Sequence, residues 1–190
     1  MRTILFIDGE NFLKKVKDVF ESQGKSAPDF HLYNFRGLFD KVLDGVQIDE
    51  GIFYFAKLRE HQNTIKKSRQ LIDQRRLLKT HLENTGFRVI IKGNVRGQLI
   101  KNHKGKEVLI FKEKGVDVKI AVDMVSFSCD GKIKTAVIAS SDSDLQPAIE
   151  ELMKRNIERI YLGFEHLPNK GLTYTTNRTI LIRNSEIMKF

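Results

Sequence analysis

The sequence contains a single cysteine, Cys129, so no disulfide bond can form within the chain. It has three prolines among 190 residues and no linker of low complexity. No stretch approaches the ~20 consecutive apolar residues that a membrane-spanning helix needs. The first apolar run ends at Asp8, which is too early for a secretory signal peptide. These absences argue against a disulfide-stapled extracellular domain and against a membrane protein, and we expect a cytoplasmic location.

Positive charge is in clear excess. The chain has 33 basic and 24 acidic residues, a formal net charge of +9 and a pI of about 9.6. Such an excess favours polyanionic partners, with nucleic acid first and an anionic membrane surface second, although a basic surface also serves solubility alone. With 41% hydrophobic residues, the chain is long enough for one domain with a sizeable core, and we expect residues 1–190 to form it. A homo-oligomer is left open.

Short apolar runs rich in strand-forming residues alternate with segments of helical periodicity. The predicted strands are 3–7, 51–58, 87–91, 135–139 and 159–164, with an edge strand at 180–182. The predicted helices are 11–20, 33–43, 62–84, 116–129 and 144–155. This order predicts an α/β fold, a three-layer α/β/α sandwich with a central, mostly parallel sheet. An excursion at about 93–113 is predicted to form a β-hairpin, and about 165–190 a C-terminal extension.

Carboxylates follow two of the predicted strands. Asp8 follows the first strand, and Asp142 and Asp144 follow the strand at 135–139. Ligands of parallel sheets bind beyond the carboxyl ends of the strands, so these acids converge if the two strands are neighbours. Clustered carboxylates repel one another unless a hard cation such as Mg²⁺ or Mn²⁺ is bound. A single Asp at this position is more often a helix N-cap, but three together favour a metal site.

The helix at 116–129 carries two further acids on different faces. Asp117 has apolar residues four and seven positions later, so we expect it to project from a buried face and to need a partner, either Lys114 or a metal. Asp123 follows Lys119 by four residues, on a face that we predict to be solvated. Helical geometry separates the two acids by about 240°, so they are not expected to face one ion directly.

Three segments together resemble the NYN-domain branch of the PIN-like nucleases. They are Phe6–Asn11, Lys114–Asp123 and Ile138–Leu145, and the resemblance covers roughly residues 1–164. The family often has Gly where this chain has Ser141 and Phe where it has Leu145, and neither difference removes a carboxylate.

The resemblance implies a PIN-like fold and a metal-dependent ribonuclease. Its catalytic and metal-binding residues would be Asp8, Asp117, Asp142 and Asp144, with one or two Mg²⁺ or Mn²⁺ ions assisting phosphodiester hydrolysis. Asn11, Ser140 and Asp123 are expected to support these residues without being their principal metal ligands. For Asn11, orientation of Asp8 or of a water and a simple capping role are equally compatible with the sequence.

Candidate RNA-binding residues lie outside the carboxylates. On the helix at 62–84 the predicted apolar stripe comprises Ile65, Leu71, Ile72, Leu78 and Leu82. Arg75 and Lys79 fall within this stripe and either extend out to solvent or reach the strand ends and a substrate phosphate. The tip of the predicted hairpin either clamps RNA or is a solvated turn. The candidates are Lys66, Arg69, Arg75, Arg76, Lys79, Lys104 and Lys114.

Two other functions remain open at this stage. A non-catalytic RNA-binding or regulatory module of the same fold would have the same charge and the same motifs. A phosphatase of the haloacid-dehalogenase type also uses a strand-end Asp, but it requires a second Asp two residues later, where this chain has Glu10. The sequence therefore favours the ribonuclease, with RNA as its partner.

Overall fold

The computed structural model describes residues 1–60, 65–101 and 107–190. The strands are β1 (Arg2–Asp8), β2 (Glu50–Lys57), β3 (Arg88–Lys101), β4 (Glu107–Lys114), β5 (Ile133–Ala139), β6 (Glu158–Phe164) and β7 (Arg178–Ile182). The helices are α1 (Gly9–Ser22), α2 (Phe35–Val42), α3 (Ile65–Asn84), α4 (Val116–Cys129), α5 (Gln146–Lys154), α6 (Lys170–Thr175) and α7 (Asn184–Ile187).

These strands form one sheet in the order β4-β3-β2-β1-β5-β6-β7. Six strands are parallel, and β4 pairs antiparallel with β3. From β1 the order runs outward through β2 on one side and through β5 on the other. The chain connections therefore run in opposite directions on the two sides of the β1–β5 pair. In a parallel sheet such a reversal leaves a crevice at the carboxyl ends of these two strands, and ligands usually bind there. Asp8 and the segment after Ala139 lie at this point.

Apolar side chains cover both faces of the sheet because successive strand residues point to opposite sides. Leu5 and Ile7 of β1 belong to a core with α1, α2, the second half of α3 and α7. Ile4 and Phe6 belong to a second core with α4, α5 and α6. The predicted three-layer α/β/α sandwich with a mostly parallel sheet is therefore confirmed.

The predicted hairpin corresponds to β3 and β4, which pair from Asn94 with Lys114 to Lys101 with Glu107. Its tip, including Lys104, lies outside the described residues. The predicted C-terminal extension contains α6, β7 and α7, and β7 completes the sheet beside β6. None of the helices in the described ranges has the length and apolar character required to cross a membrane.

The predicted apolar stripe of α3 is only partly buried. Leu78 and Leu82 pack into the core, but Ile65 and Leu71 are 44% and 39% exposed. The stripe prediction was therefore wrong for the first half of the helix. The physical reason is that Arg75 occupies the position where an apolar residue would have continued the contact with β2. Its guanidinium lies 4.0 Å from the centre of the Phe55 ring.

Candidate metal centre

Strand register places Asp8 and Ser140 side by side at the carboxyl edge of the sheet. Ile7 of β1 pairs with Ala139 of β5, so the next residue of each strand leaves the sheet at the same level. The Ser140 hydroxyl donates to Asp8 Oδ2 at 3.4 Å and accepts from the main-chain N–H of Asp142 at 3.1 Å. The buried Ser140 therefore links the acid of β1 to the loop that carries Asp142 and Asp144.

Three carboxylates from two different segments meet next to this link. One oxygen each of Asp117, Asp142 and Asp144 lies within 4.8 Å of the other two, and these three residues are the acid cluster. Asp117 and Asp142 are half-buried and Asp144 is exposed. Oxygen ligands of one octahedral Mg²⁺ at about 2.1 Å lie about 3.0 Å apart when adjacent and about 4.2 Å apart when opposite, so the three carboxylates would have to move closer together to bind one ion. The all-oxygen donor set fits a hard divalent cation.

Asp8 lies beside the acid cluster, in a more buried position. Burial raises the pKa of Asp8 to about 6. The main-chain N–H of Asn11 opposes this rise, the nearby charge of Asp142 adds to it, and smaller effects come from the Ser140 hydroxyl and Glu10. With this pKa, Asp8 ionises only as the pH approaches neutrality, at a higher free-energy cost than an exposed carboxyl group, and a cation placed close to it would lower its pKa again.

Asp8 and Asp142 can each cap a helical segment and still have a carboxylate oxygen left for a metal ion. Asp8 Oδ1 accepts from the main-chain N–H of Asn11 at 3.1 Å and caps α1. Asp142 Oδ1 accepts from the N–H of Asp144 at 2.9 Å and caps the 3₁₀ turn Ser143–Leu145. Each cap uses one oxygen of a carboxylate that has two. Capping therefore fixes the orientation of these side chains without occupying them fully.

Asparagine side chains hold the loop of the acid cluster from two sides. Asn11 Oδ1 accepts from both the N–H and the hydroxyl of Ser141, at 3.1 and 2.9 Å. From the other side, Asn169 Nδ2 donates to the Ser141 carbonyl at 2.9 Å. Asn11 therefore supports the loop that follows β5, a role that differs from both alternatives considered from the sequence.

Asn169 was not among the sequence candidates. It follows β6 and caps α6 by accepting from the N–H of Leu172 at 3.0 Å. Its own N–H donates to the buried hydroxyl of Tyr161 at 3.0 Å. The cap is recognisable from an Asn before a helix, but the bond to Ser141 depends on β6 lying next to β5. Only the tertiary structure shows this second contact.

Two glycines allow α4 to begin where Asp117 can join the acid cluster. Gly115 precedes the helix with a φ of +85°, and Gly93 of β3 has a φ of +83°. A Cβ atom on Gly93 would lie 2.4 Å from the carbonyl oxygen of Lys114. The chain entering α4 therefore passes directly against β3. Within the described residues, Asp117 forms no ion pair, and the exposed Lys114 is not its partner.

Asp123 has the predicted partner in an unpredicted environment. Lys119 Nζ donates to Asp123 Oδ1 at 2.5 Å, which confirms the expected i,i+4 pair. The expectation of a solvated face was wrong, because Asp123 is only 6% exposed and accepts from the Tyr54 hydroxyl at 3.1 Å. The sequence pattern of α4 does not show that β2 brings a tyrosine to this face. Asp123 is not one of the three residues of the acid cluster.

The candidate RNA-binding cations occupy different environments. Arg75 is 14% exposed and pairs with Glu10, two residues after Asp8, so it reaches the strand ends rather than solvent. Lys79 pairs with Glu83, Arg69 with Glu60 and Arg76 with Asp73, all on the surface of the molecule. Lys66 and Lys114 are exposed. Among these candidates, Arg75 is the one with a described contact to Glu10, two residues after Asp8.

Comparison with known proteins places this geometry in a family. A crystal structure of a protein of unknown function from Vibrio parahaemolyticus RIMD 2210633 is similar, with a TM-score of 0.56 and 17% identity. The match covers 95% of this chain and 93% of that chain, and at this identity it shows the fold alone. A search of curated proteins found no match. The family model of the NYN domain matches residues 2–183, so the chain belongs to the NYN domain family, within the PIN-like nuclease superfamily.

Proposed function

We propose that this protein is a metal-dependent ribonuclease that hydrolyses phosphodiester bonds of RNA at the acid cluster. The observation that carries the proposal is the convergence of Asp117, Asp142 and Asp144 at the point where the sheet order reverses, with Asp8 beside them. The chain's membership of a nuclease superfamily supports hydrolysis of a phosphodiester as the reaction. The net charge of +9 supports a polyanionic substrate.

Asp117, Asp142 and Asp144 would hold the divalent cation, Mg²⁺ or Mn²⁺, as one ion or two. When bound, such an ion supplies Lewis acidity and neutralises negative charge as water displaces the leaving oxygen at phosphorus. The fit rests on the donor set, because three carboxylate oxygens within 4.8 Å repel one another without a cation.

The surrounding residues would keep these ligands in place. Ser140 joins Asp8 to the Asp142 main chain, and Asn11 and Asn169 hold Ser141 between them. Such supporting hydrogen bonds restrict the orientation of ligand side chains and typically affect metal affinity or activity 10–100-fold. The rigid support comes from three elements, β1, β5 and the segment after β6, which the sheet places next to one another.

Cleavage of defined RNA substrates tests the proposal. The purified protein would be incubated with labelled single-stranded and structured RNA in Mn²⁺, Mg²⁺ or EDTA. We expect cleavage with at least one of the two ions and none in EDTA. Asp117→Asn should reduce the rate by at least about 100-fold, because a neutral amide is a poorer ligand for a hard cation.

Asp130→Asn is the matched control. Asp130 follows the last residue of α4, whereas Asp117 lies in its first turn, and its side chain is about half exposed and pairs with Lys132. Both variants lose one negative charge, but only the first alters the acid cluster. Metal-independent binding of RNA without cleavage under any condition would favour a non-catalytic RNA-binding module instead.

A further inference from the structure

A groove of about 660 Å³ lies between α1 and the middle of α3. Its volume falls within the range of about 300–1,000 Å³ that is typical of small-molecule and cofactor sites. Its remaining walls are formed by the first turns of α1, the segment 28–31, Leu58 after β2 and Val95 of β3. Leu71 of α3 faces this groove and is 39% exposed.

The walls of this α1–α3 groove combine apolar surface with positive charge. Leu13, Leu71 and Leu78 supply apolar surface, and Phe30 adds a half-buried aromatic ring. Lys14, Lys17 and Arg75 supply cations, and Glu10 and Asp29 supply carboxylates, so cations exceed carboxylates on the lining by one. Arg75 pairs with Glu10 and Lys17 with Glu21. Flat apolar or aromatic surface next to cations is the combination with which proteins bind single-stranded nucleic acid, since each nucleotide has a base and a phosphate.

Arg75 has an incomplete set of hydrogen bonds. Its guanidinium lies over the Phe55 ring and pairs with Glu10 through Nη2. Its Nη1 is buried and has no hydrogen-bond partner in the described part of the structure. A buried N–H without a partner is unfavourable, and a phosphate oxygen is the acceptor that matches a guanidinium best. This unpaired donor is an observation independent of the shape of the groove. Because Nη1 is covered in this conformation, a phosphate oxygen in the groove would reach it only after a rotation of the Arg75 side chain.

The groove does not include the acid cluster, but one end of it lies at Glu10, two residues after Asp8. Glu10 lines the groove, pairs with Arg75 and is close enough to Asp8 to affect its pKa. Lys14 and Lys17 follow Glu10 by about one and two turns on the same side of α1. With a rise of 1.5 Å per residue, Lys17 lies about 10 Å further along the helix than Glu10. The groove thus extends along α1 from the neighbourhood of Asp8, and this is the direction that we infer for a bound strand.

We propose that the α1–α3 groove binds a nucleotide of single-stranded RNA next to the phosphodiester that is cut. Its base contacts the apolar wall at Leu71, and its phosphate is bound by Arg75, with Lys14 and Lys17 along the edge. Bases in a duplex are stacked and paired, so they are not free to enter such a groove. The proposal rests on the proposed ribonuclease function for the direction of the strand, whereas binding itself is independent of cleavage.

Two leucines on α3 provide a matched test. Leu71 lines the groove and is 39% exposed, whereas Leu77 is 53% exposed and does not line it. Leu71→Glu and Leu77→Glu change the net charge equally, and both positions are exposed enough to accept a carboxylate. Binding of a fluorescein-labelled uridine hexanucleotide would be measured by anisotropy in EDTA, so that the readout needs no cleavage. We expect binding at least about tenfold weaker for Leu71→Glu and less than about twofold weaker for Leu77→Glu.

Arg75→Gln and Arg76→Gln form a second pair that tests the phosphate contact. Arg76 is the next residue of α3, but its side chain is 76% exposed and pairs with Asp73. We expect only Arg75→Gln to weaken binding of the hexanucleotide by about tenfold or more, with melting temperatures reporting whether each variant is folded. For an RNA duplex, Leu71→Glu should have less effect than for the hexanucleotide.

The results separate the groove from the reaction. If Leu71→Glu and Leu77→Glu weaken hexanucleotide binding equally, and Arg75→Gln and Arg76→Gln do so as well, the proposed groove is wrong. That result would not affect the proposed ribonuclease, because cleavage by the wild-type protein in Mn²⁺ is measured separately. An equal effect of Leu71→Glu on duplex and single strand would overturn the preference for single strands. The expected binding pattern in a protein that cuts no RNA would support the groove and contradict the ribonuclease.

Discussion

Asn11 Oδ1 accepts two hydrogen bonds from Ser141, one from the main-chain N–H at 3.1 Å and one from the hydroxyl at 2.9 Å. Asn11 lies in the first turn of α1, and Ser141 immediately precedes Asp142. The side chain thus connects the element after β1 to the loop after β5 at the edge of the acid cluster. Residues that orient metal ligands in this way often affect a site as strongly as some ligands do.

We therefore expect Asn11→Ala to weaken Mn²⁺ binding and RNA cleavage by about 10–100-fold. Ser141→Ala is the control, because it removes the hydroxyl bond and keeps the main-chain bond, and its effect should be smaller. Mn²⁺ affinity, cleavage rate and melting temperature would be measured for both. Loss of melting temperature without loss of Mn²⁺ affinity would show that Asn11 serves stability alone.

Asn169→Ser separates the two roles of Asn169. Serine is a good N-cap, so α6 should keep its cap, but its side chain is too short to replace the bond from Nδ2 to the Ser141 carbonyl. We expect weaker Mn²⁺ binding, by about tenfold, with a small change in melting temperature. Unchanged Mn²⁺ affinity would mean that Asn11 alone is sufficient to hold the loop.

The pKa of Asp8 predicts how the stability of the metal-free protein depends on pH. The pKa rises from 3.8 to about 6 on folding because the carboxyl group is buried. Below pH 3.8 the group is protonated in both states. Between about pH 4 and pH 6 the unfolded chain ionises first, so stability falls as pH rises, by up to about 3 kcal/mol in total. Above about pH 6 the full loss remains.

Asp8→Asn should accordingly raise the melting temperature in EDTA at pH 8 by several degrees and change it little at pH 4. Asparagine caps a helix as well as aspartate does, so the bond from the Asn11 N–H is retained. RNA cleavage should be lost in the same variant. If the melting temperature of Asp8→Asn at pH 8 is lower than that of the wild-type protein, burial of the charged Asp8 does not destabilise the fold and the prediction is wrong.

Asp117 and Asp123 should respond differently to substitution. Asp123→Ala leaves the buried Tyr54 hydroxyl and Lys119 without their partner, which should cost about 1.5–3 kcal/mol of stability. An exposed i,i+4 pair on a solvated face, as the sequence predicted, would cost less than about 1 kcal/mol. Asp117→Asn should leave the stability of the metal-free protein equal or higher while removing activity, because it relieves repulsion in the acid cluster.

Denaturant unfolding in EDTA and cleavage in Mn²⁺ distinguish the two residues. The Asp123 variant should retain cleavage at temperatures where it is folded, and addition of Mn²⁺ should stabilise it as it stabilises the wild-type protein. The Asp117 variant should lose that stabilisation. An inactive but equally stable Asp123 variant would require Asp123 to be reassigned to the reaction.

RNA binding should depend steeply on salt. The net charge of +9 and the cations along the α1–α3 groove favour phosphate contacts. For single strands, the logarithm of the association constant should fall linearly with the logarithm of salt concentration, with a slope of about −0.7 for each phosphate contacted. Arg75→Gln should reduce this slope by roughly one contact and Arg76→Gln should not. A flat dependence would show that the positive charge serves another purpose.

The sequence by itself determined the alternation of strands and helices and the acids that follow β1 and β5. Apolar runs of strand length cannot remain exposed, so their order was sufficient to predict a sheet covered on both faces. The three motifs fixed the family. The pairing of Lys119 with Asp123 was also predictable, because i,i+4 neighbours on a helix are set by local geometry alone.

Only the tertiary structure decided which segments meet and which surfaces remain open. Asn169 reaches Ser141 because β6 lies beside β5, and Tyr54 buries Asp123 because α4 packs on β2. Arg75 turns inward because Phe55 and Glu10 stabilise its guanidinium at the strand ends, and Leu71 nearby on α3 stays partly exposed. These contacts join residues far apart in the chain, and helical or strand periodicity describes only one element at a time, so it cannot specify what another element brings to its surface.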